Sequence, residues 1–117
     1  MGQVVCVPVT AQGDVDPRWG RAARVAVAHL ANGRVERWQE IDVAWDRDHD
    51  AQGEGRHHAA VARFLLDQGV EVVVAHHMGE PMRHMLERMG VGVRLGAAGP
   101  ARAAAAALAG AAAAGTP

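Results

Sequence analysis

Seven histidines in 117 residues are the feature of this chain with the most chemical content. Five of them fall in three short segments: His49, the pair His57-His58, and the pair His76-His77. Neutral imidazole is the commonest ligand for Zn, Cu, Ni and Fe(II). Three or four such groups brought together would complete a coordination shell, and Asp46, Asp48 or Asp50 could add oxygen. Binding of that kind weakens below about pH 6, where imidazolium cannot ligate. The spacing matches no standard zinc motif. Neighbouring residues on a helix diverge by about 100° and successive residues of a strand alternate, so each His-His pair is expected to offer one ligand.

Arg18 and Arg21 flank Trp19 in an earlier segment and could hold an anion or an anionic cluster. Met78, Met82, Met85 and Met89 recur at helical spacing. A soft thioether site is conceivable there, but the 3–4 period is what a packed face requires. A single cysteine, Cys6, excludes a disulfide framework and any all-Cys metal site.

These groups need elements to position them. The run Val4–Val9 is a short apolar strand buried on both faces, and Pro8 marks an edge position or the end of ladder pairing. Residues 10–21 form a loop. A second strand covers 23–30, and Asn32-Gly33 signals a hairpin because both tolerate positive φ. A third strand runs over 34–43. Residues 45–55 read as a polar loop, followed by a helix from about Arg56 to Gln68 that Gly69 stops. Then come a strand at 70–75, a turn at 76–80, a helix from Pro81 to Met89, a strand at 91–95, and an Ala-rich helix from Pro100 to about Ala109. The chain therefore reads as one α/β domain over residues 1–110, with a flexible Ala/Gly tail at 111–117.

The pattern resembles the family of small proteins and domains that carry or help assemble the iron–molybdenum cofactor of dinitrogenase. Four features carry the resemblance over roughly Val4 to Gly110. One is D-x-x-x-G-R-A, here Asp16 to Ala22. The second is Gly53-Glu54-Gly55 at the start of the first helix. The third is the block Leu65 to Ala75, followed by Gly79 in the turn. The last is G-V-x-V-x-x-G at Gly90 to Gly96. The resemblance implies a ribonuclease H-like fold with a five-stranded mixed sheet of order 3-2-1-4-5. It implies no nuclease activity: the first strand has no acid and the fourth only Glu71 at its start, too few to hold two metal ions. In one respect the chain departs from the family. Relatives often have His-Phe before Gly-Arg, and that His is a candidate cofactor ligand; here Arg18-Trp19 stand in its place.

In the implied topology, strands one, three, four and five run in one direction. Their C-terminal ends share the sheet edge where open α/β folds usually bind ligands. That edge collects His49, His57, His58, His76 and His77, with Arg18, Trp19 and Arg21, whereas His29 falls near the opposite edge.

The leading expectation is thus a non-enzymatic protein that binds or carries a metal ion or an iron-containing cluster, with a protein partner in cofactor delivery. The alternative is an interaction or regulatory domain of the same fold without metal, its histidines dispersed. A metal-dependent hydrolase would need a general base, and only Glu54 and Glu80 stand nearby. Twelve basic residues, all Arg, against 13 acidic ones give a net charge of −1, which excludes nucleic-acid binding by bulk charge. The apolar stretches are too short or too Ala-rich to span a membrane, and no secretory signal is evident, so a cytoplasmic location is expected. Exposed strand edges allow a homodimer.

Overall fold

A computed structural model describes the backbone of residues 2–114; the side chains of residues 48–54 and 109–114 lie outside the described set. The elements are β1 (Gly2–Val9), β2 (Arg24–Ala31), β3 (Arg34–Asp42), α1 (Trp45–Gln68), β4 (Val72–Val74), α2 (Glu80–Arg88), β5 (Gly92–Arg94) and α3 (Ala101–Ala114). The five strands form one mixed sheet in the order β3-β2-β1-β4-β5. β1 pairs antiparallel with β2 and parallel with β4, and β5 is parallel to β4. This is the α/β architecture expected from the sequence.

Alternation along the central strands sends side chains to two separate cores. Val5, Val7, Ala26, Ala28, Val72 and Val74 pack under α3 through Ala101, Ala104 and Ala105. Cys6, Val25 and Val73 face the other way, against Val61 and Leu65 of α1 and Met82 and Leu86 of α2. Covering both faces is why β1 and β4 are near-continuous apolar runs. With so few aromatic residues, α3 lies on the sheet through alanines.

The punctuation residues act as their chemistry requires. Asn32 and Gly33 have φ of 55° and 75°, the positive values that a two-residue type I′ hairpin needs. Gly33→Val should cost about 1–2 kcal/mol, read as a lower denaturation midpoint with the hairpin register otherwise unchanged. Gly69 takes φ 67°, and its N–H donates to the carbonyls of Leu65 and Leu66, closing α1. Across the hairpin, Arg24 Nε donates to Asp42 Oδ1 at 2.9 Å and its Nη1 to Glu40 at 3.4 Å. The Asp42 hydrogen bond leads in holding that guanidinium's pKa above its ordinary value.

Two sequence expectations are corrected, and at Pro8 the structure decides for the end of ladder pairing. Pro8 is not on an edge: it sits in the central strand opposite Val25. Its carbonyl accepts the Asp16 N–H at 2.9 Å on the side away from β2. A strand residue's N–H and C=O point the same way, so the missing donor faces the side where pairing with β4 has ended after Cys6. Residues 45–55 belong to α1 rather than to a loop. Trp45 decides this: the residue is 3% exposed, and its backbone N–H donates to the Ala22 carbonyl at 3.1 Å. A straight helix would place Trp45 and Phe64 roughly 28 Å apart along its axis, yet their rings are 5.7 Å apart. The axis of α1 therefore does not run straight between them; Gly53 and Gly55 lie in that interval, and glycine is a common site of sharp bending. Finally, α3 continues past Ala109 to Ala114, as alanine's helix propensity permits. The rest of the expected tail, residues 115–117, lies outside the described residues.

Candidate functional site

The loop after β1 is fixed before it reaches the site. Thr10 N–H donates to Asp14, Val15 N–H to Gly99, and the Ala101 N–H to Gly13, which ties the loop to the turn before α3. Asp16 is buried, and its Oδ1 accepts the Arg18 backbone N–H at 2.9 Å and approaches Arg18 Nε at 3.5 Å. The chain then makes one 3₁₀ turn, Trp19–Arg21. Trp19 is 2% exposed and meets Trp45 edge-on at 5.2 Å. Trp45 in turn meets the rings of His57 and Phe64 at 6.3 and 5.7 Å. These aromatic contacts join the loop to both described parts of α1.

Between the loop, α1 and the turn after β4 lies a cleft of about 280 Å³. Arg18, Trp19, Gly20 and Arg21 line it from the loop, His57 and His58 from α1, and His77, Met78 and Met82 from the turn and the start of α2. None of the described residues lining it is acidic. His57 is 1% exposed, while His58 and His77 are more open to solvent. The cleft is a hydrogen-bond-donating, cation-rimmed concavity with two thioethers in its wall. Such a lining suits an anion with a polarizable surface better than a hard cation.

The histidines named from the sequence divide. His57, His58 and His77 reach this one cleft. Both members of the first pair line it, with rings 6.3 Å apart and tilted by 49°; the expected divergence appears as a difference in depth. His76 stands outside the cleft lining: its Nδ1 lies 3.2 Å from the Ala97 carbonyl oxygen, to which it donates. His76 and His77 thus part, but in the turn, since β4 has already ended at Val74. The side chain of His49 is outside the described residues, as is that of Glu54. His29 is paired opposite Val4 at the other end of the sheet. His84 is exposed and reaches Glu80 at 3.2 Å. Glu71 also lies away from the cleft, where its Oε1 accepts the Val4 N–H at 2.9 Å. Among the described residues, no three of His, Cys, Asp and Glu gather closely enough to hold a metal ion.

The sequence reading missed Gly20, Met78 and Met82 as cleft residues. The methionine stripe does pack, as its period implied, since Met78, Met82, Met85 and Met89 all join one core. Its first two members also open onto the cleft because Met78 follows His77 in the turn and Met82 lies in the first turn of α2. That adjacency was the available signal.

Solved structures share this fold. The crystal structure of PH0822 matches with a TM-score of 0.71 at 18% identity, covering 94% of this chain and 92% of that one. The apo form of the orange protein from Desulfovibrio gigas matches with a TM-score of 0.70 at 24% identity, covering 88% and 82%. At these identities the likeness is one of fold. In sequence, the family model described as dinitrogenase iron-molybdenum cofactor matches residues 1–111. None of the curated proteins matches the chain. Among the described residues, no helix is long and apolar enough to cross a membrane.

Proposed function

Because the chain belongs to the dinitrogenase iron-molybdenum cofactor family, we propose that it is a non-enzymatic carrier that holds an anionic metal cluster in the cleft between the first loop, α1 and the turn after β4. The observation that carries this reading is the lining itself: two arginines and three histidines converge, with no carboxylate among the described lining residues. Arg18 and Arg21 supply counter-charge at the rim, where guanidinium forks suit anions. Trp19 forms the inner wall, and His57, His58 and His77 offer imidazole nitrogens. The volume accommodates a group of several atoms. A single Zn²⁺-type ion would want a closed set of ligands at about 2.0–2.3 Å.

The departure from the family pattern finds a local counterpart. Relatives often place a His just before Gly-Arg in the first loop, where this chain has Arg18-Trp19. Here His57 Nε2 comes from α1 to within 3.6 Å of the point where a Cβ on Gly20 would stand. An imidazole nitrogen is therefore supplied to the same loop from the helix, which supports a ligand role for His57.

The test uses isolated iron–molybdenum cofactor, with co-eluting molybdenum measured after anaerobic gel filtration. The wild type should retain it. Arg18→Ala with Arg21→Ala should weaken retention by roughly a hundredfold or more, as expected for losing two charge-assisted contacts at about 1.5 kcal/mol or more each. Raised salt should weaken wild-type retention as well. No retention by the wild type, or equal retention by the double variant, would remove the carrier reading and favour an interaction domain without cargo.

A further inference from the structure

Asp16 buries a charge where the backbone asks only for an acceptor. The residue is 6% exposed, and its Oδ1 accepts the Arg18 N–H at 2.9 Å, which sets the turn leading into Trp19–Arg21. An asparagine oxygen would close that turn equally well, and a buried amide costs less than a buried carboxylate. What the carboxylate adds is a pull on the Arg18 side chain, because the same Oδ1 stands 3.5 Å from Arg18 Nε. The Asp16 side chain is 8% exposed and that of Arg18 65%. A long, mostly exposed side chain is thus tethered at one atom to a buried anchor. A pair this open to solvent adds little to stability; its effect falls on where the guanidinium stands. In the tethered conformation Arg18 lines the cleft, and Asp16 is not among the lining residues. The contact is made through Nε, so the two Nη groups, the fork that grips an anion, keep their donors for a ligand.

We propose that Asp16 is a positioning residue of the carrier site: its carboxylate orders the Arg18 guanidinium at the cleft before cargo arrives. This rests on the carrier reading and deepens it, since it assigns part of the affinity for an anion to an acidic residue that does not touch it. Two opposite effects compete at Asp16. Its charge repels an anionic cargo, while its hold on Arg18 reduces the side-chain freedom that binding must remove. The repulsion acts from outside the cleft lining, and salt screens it over about 8 Å. The ordering acts on the gripping contact itself, so it prevails.

The experiment is a double-mutant cycle on the full chain: wild type, Asp16→Asn, Arg18→Ala and the double variant. Each is titrated anaerobically with isolated iron–molybdenum cofactor at physiological ionic strength, and bound molybdenum is measured after ultrafiltration. Asp16→Asn keeps an acceptor for the Arg18 N–H, so the urea midpoint should not fall. It should weaken retention by roughly three- to tenfold, the cost of ordering one long side chain on binding. In the Arg18→Ala background the same change should leave retention equal or slightly stronger, because only the repulsion is then lost. A purely structural role for Asp16 would weaken retention in both backgrounds, and a purely electrostatic one would strengthen it in both; either result overturns the proposal. Side-chain nitrogen NMR relaxation supplies a readout without cargo. Arg18 Nε should be restrained on the ps–ns timescale in the empty wild type and mobile in Asp16→Asn. Free motion in the wild type overturns the proposal even if Asp16→Asn does not fold. A wild type that retains no cofactor removes the carrier reading and this proposal with it, whereas retention without coupling between Asp16 and Arg18 removes this proposal alone.

Discussion

Trp19→Ala should destabilise the fold by about 3–5 kcal/mol, the range for truncating a buried aromatic side chain, and should also remove the inner wall of the cleft. Trp19 is 2% exposed and sits edge-on to Trp45 at 5.2 Å, while Trp45 reaches Phe64 at 5.7 Å. The indole is thus the wedge between the first loop and α1, and its removal leaves Trp45 without its contact to the loop. Trp19→Phe should cost roughly half as much or less. It keeps a ring in the wedge and removes Nε1, a buried donor with no hydrogen-bond partner among the described residues. An unpaired buried donor costs about 1–3 kcal/mol, and losing it offsets part of the lost volume. Urea denaturation checks both variants through a shifted midpoint at constant m-value. A loss below about 1 kcal/mol for the alanine variant, the scale of an ordinary point substitution, would show that the loop is held to α1 by other contacts.

The contrast between what the sequence revealed and what it hid follows from the range of the interactions involved. Asn32-Gly33 and Gly69 act through their own backbone, so their positions in the fold were readable directly. The apolar runs of β1 and β4 report burial on both faces, and the sheet order then follows from the family pattern. Residues 45–55 carry aspartates and glycines that disfavour a helix locally, and Trp45 overrides them through Trp19 and Phe64, which are distant in sequence. Pro8 was ambiguous because its meaning depends on which neighbour its missing N–H faces, and that is set by where β4 stops. The candidate site shows the same division. Topology brought His57, His58 and His77 to one sheet edge; His76 and His77 part in the turn after β4 has ended at Val74, where strand alternation no longer applies. The thioethers of Met78 and Met82 were weighed as a soft ligand set and read chiefly as packing, because the 3–4 period is what a packed face requires.

Cys6 should prove inert in the folded chain. It is fully buried in β1, paired in register with Val73 and packed in the core beneath α1 and α2. Burial alone pushes its thiol pKa well above the usual cysteine range, because a thiolate there would lose its hydration. A thiol reagent at pH 8 should therefore label the native protein only as fast as it opens, and label the urea-unfolded protein at once. The sign of the linked stability is fixed by the same burial. The folded state keeps its proton where the unfolded thiol, with a pKa near 8.5, has lost it. The stability this confers is complete below that pH and falls by about 1.4 kcal/mol per unit above it. By pH 10.5 the wild type should have lost about 2–3 kcal/mol that Cys6→Ala does not lose, measured by denaturation across the pH series. Rapid labelling of the native chain, or parallel pH profiles for the two proteins, would put the thiol within reach of solvent.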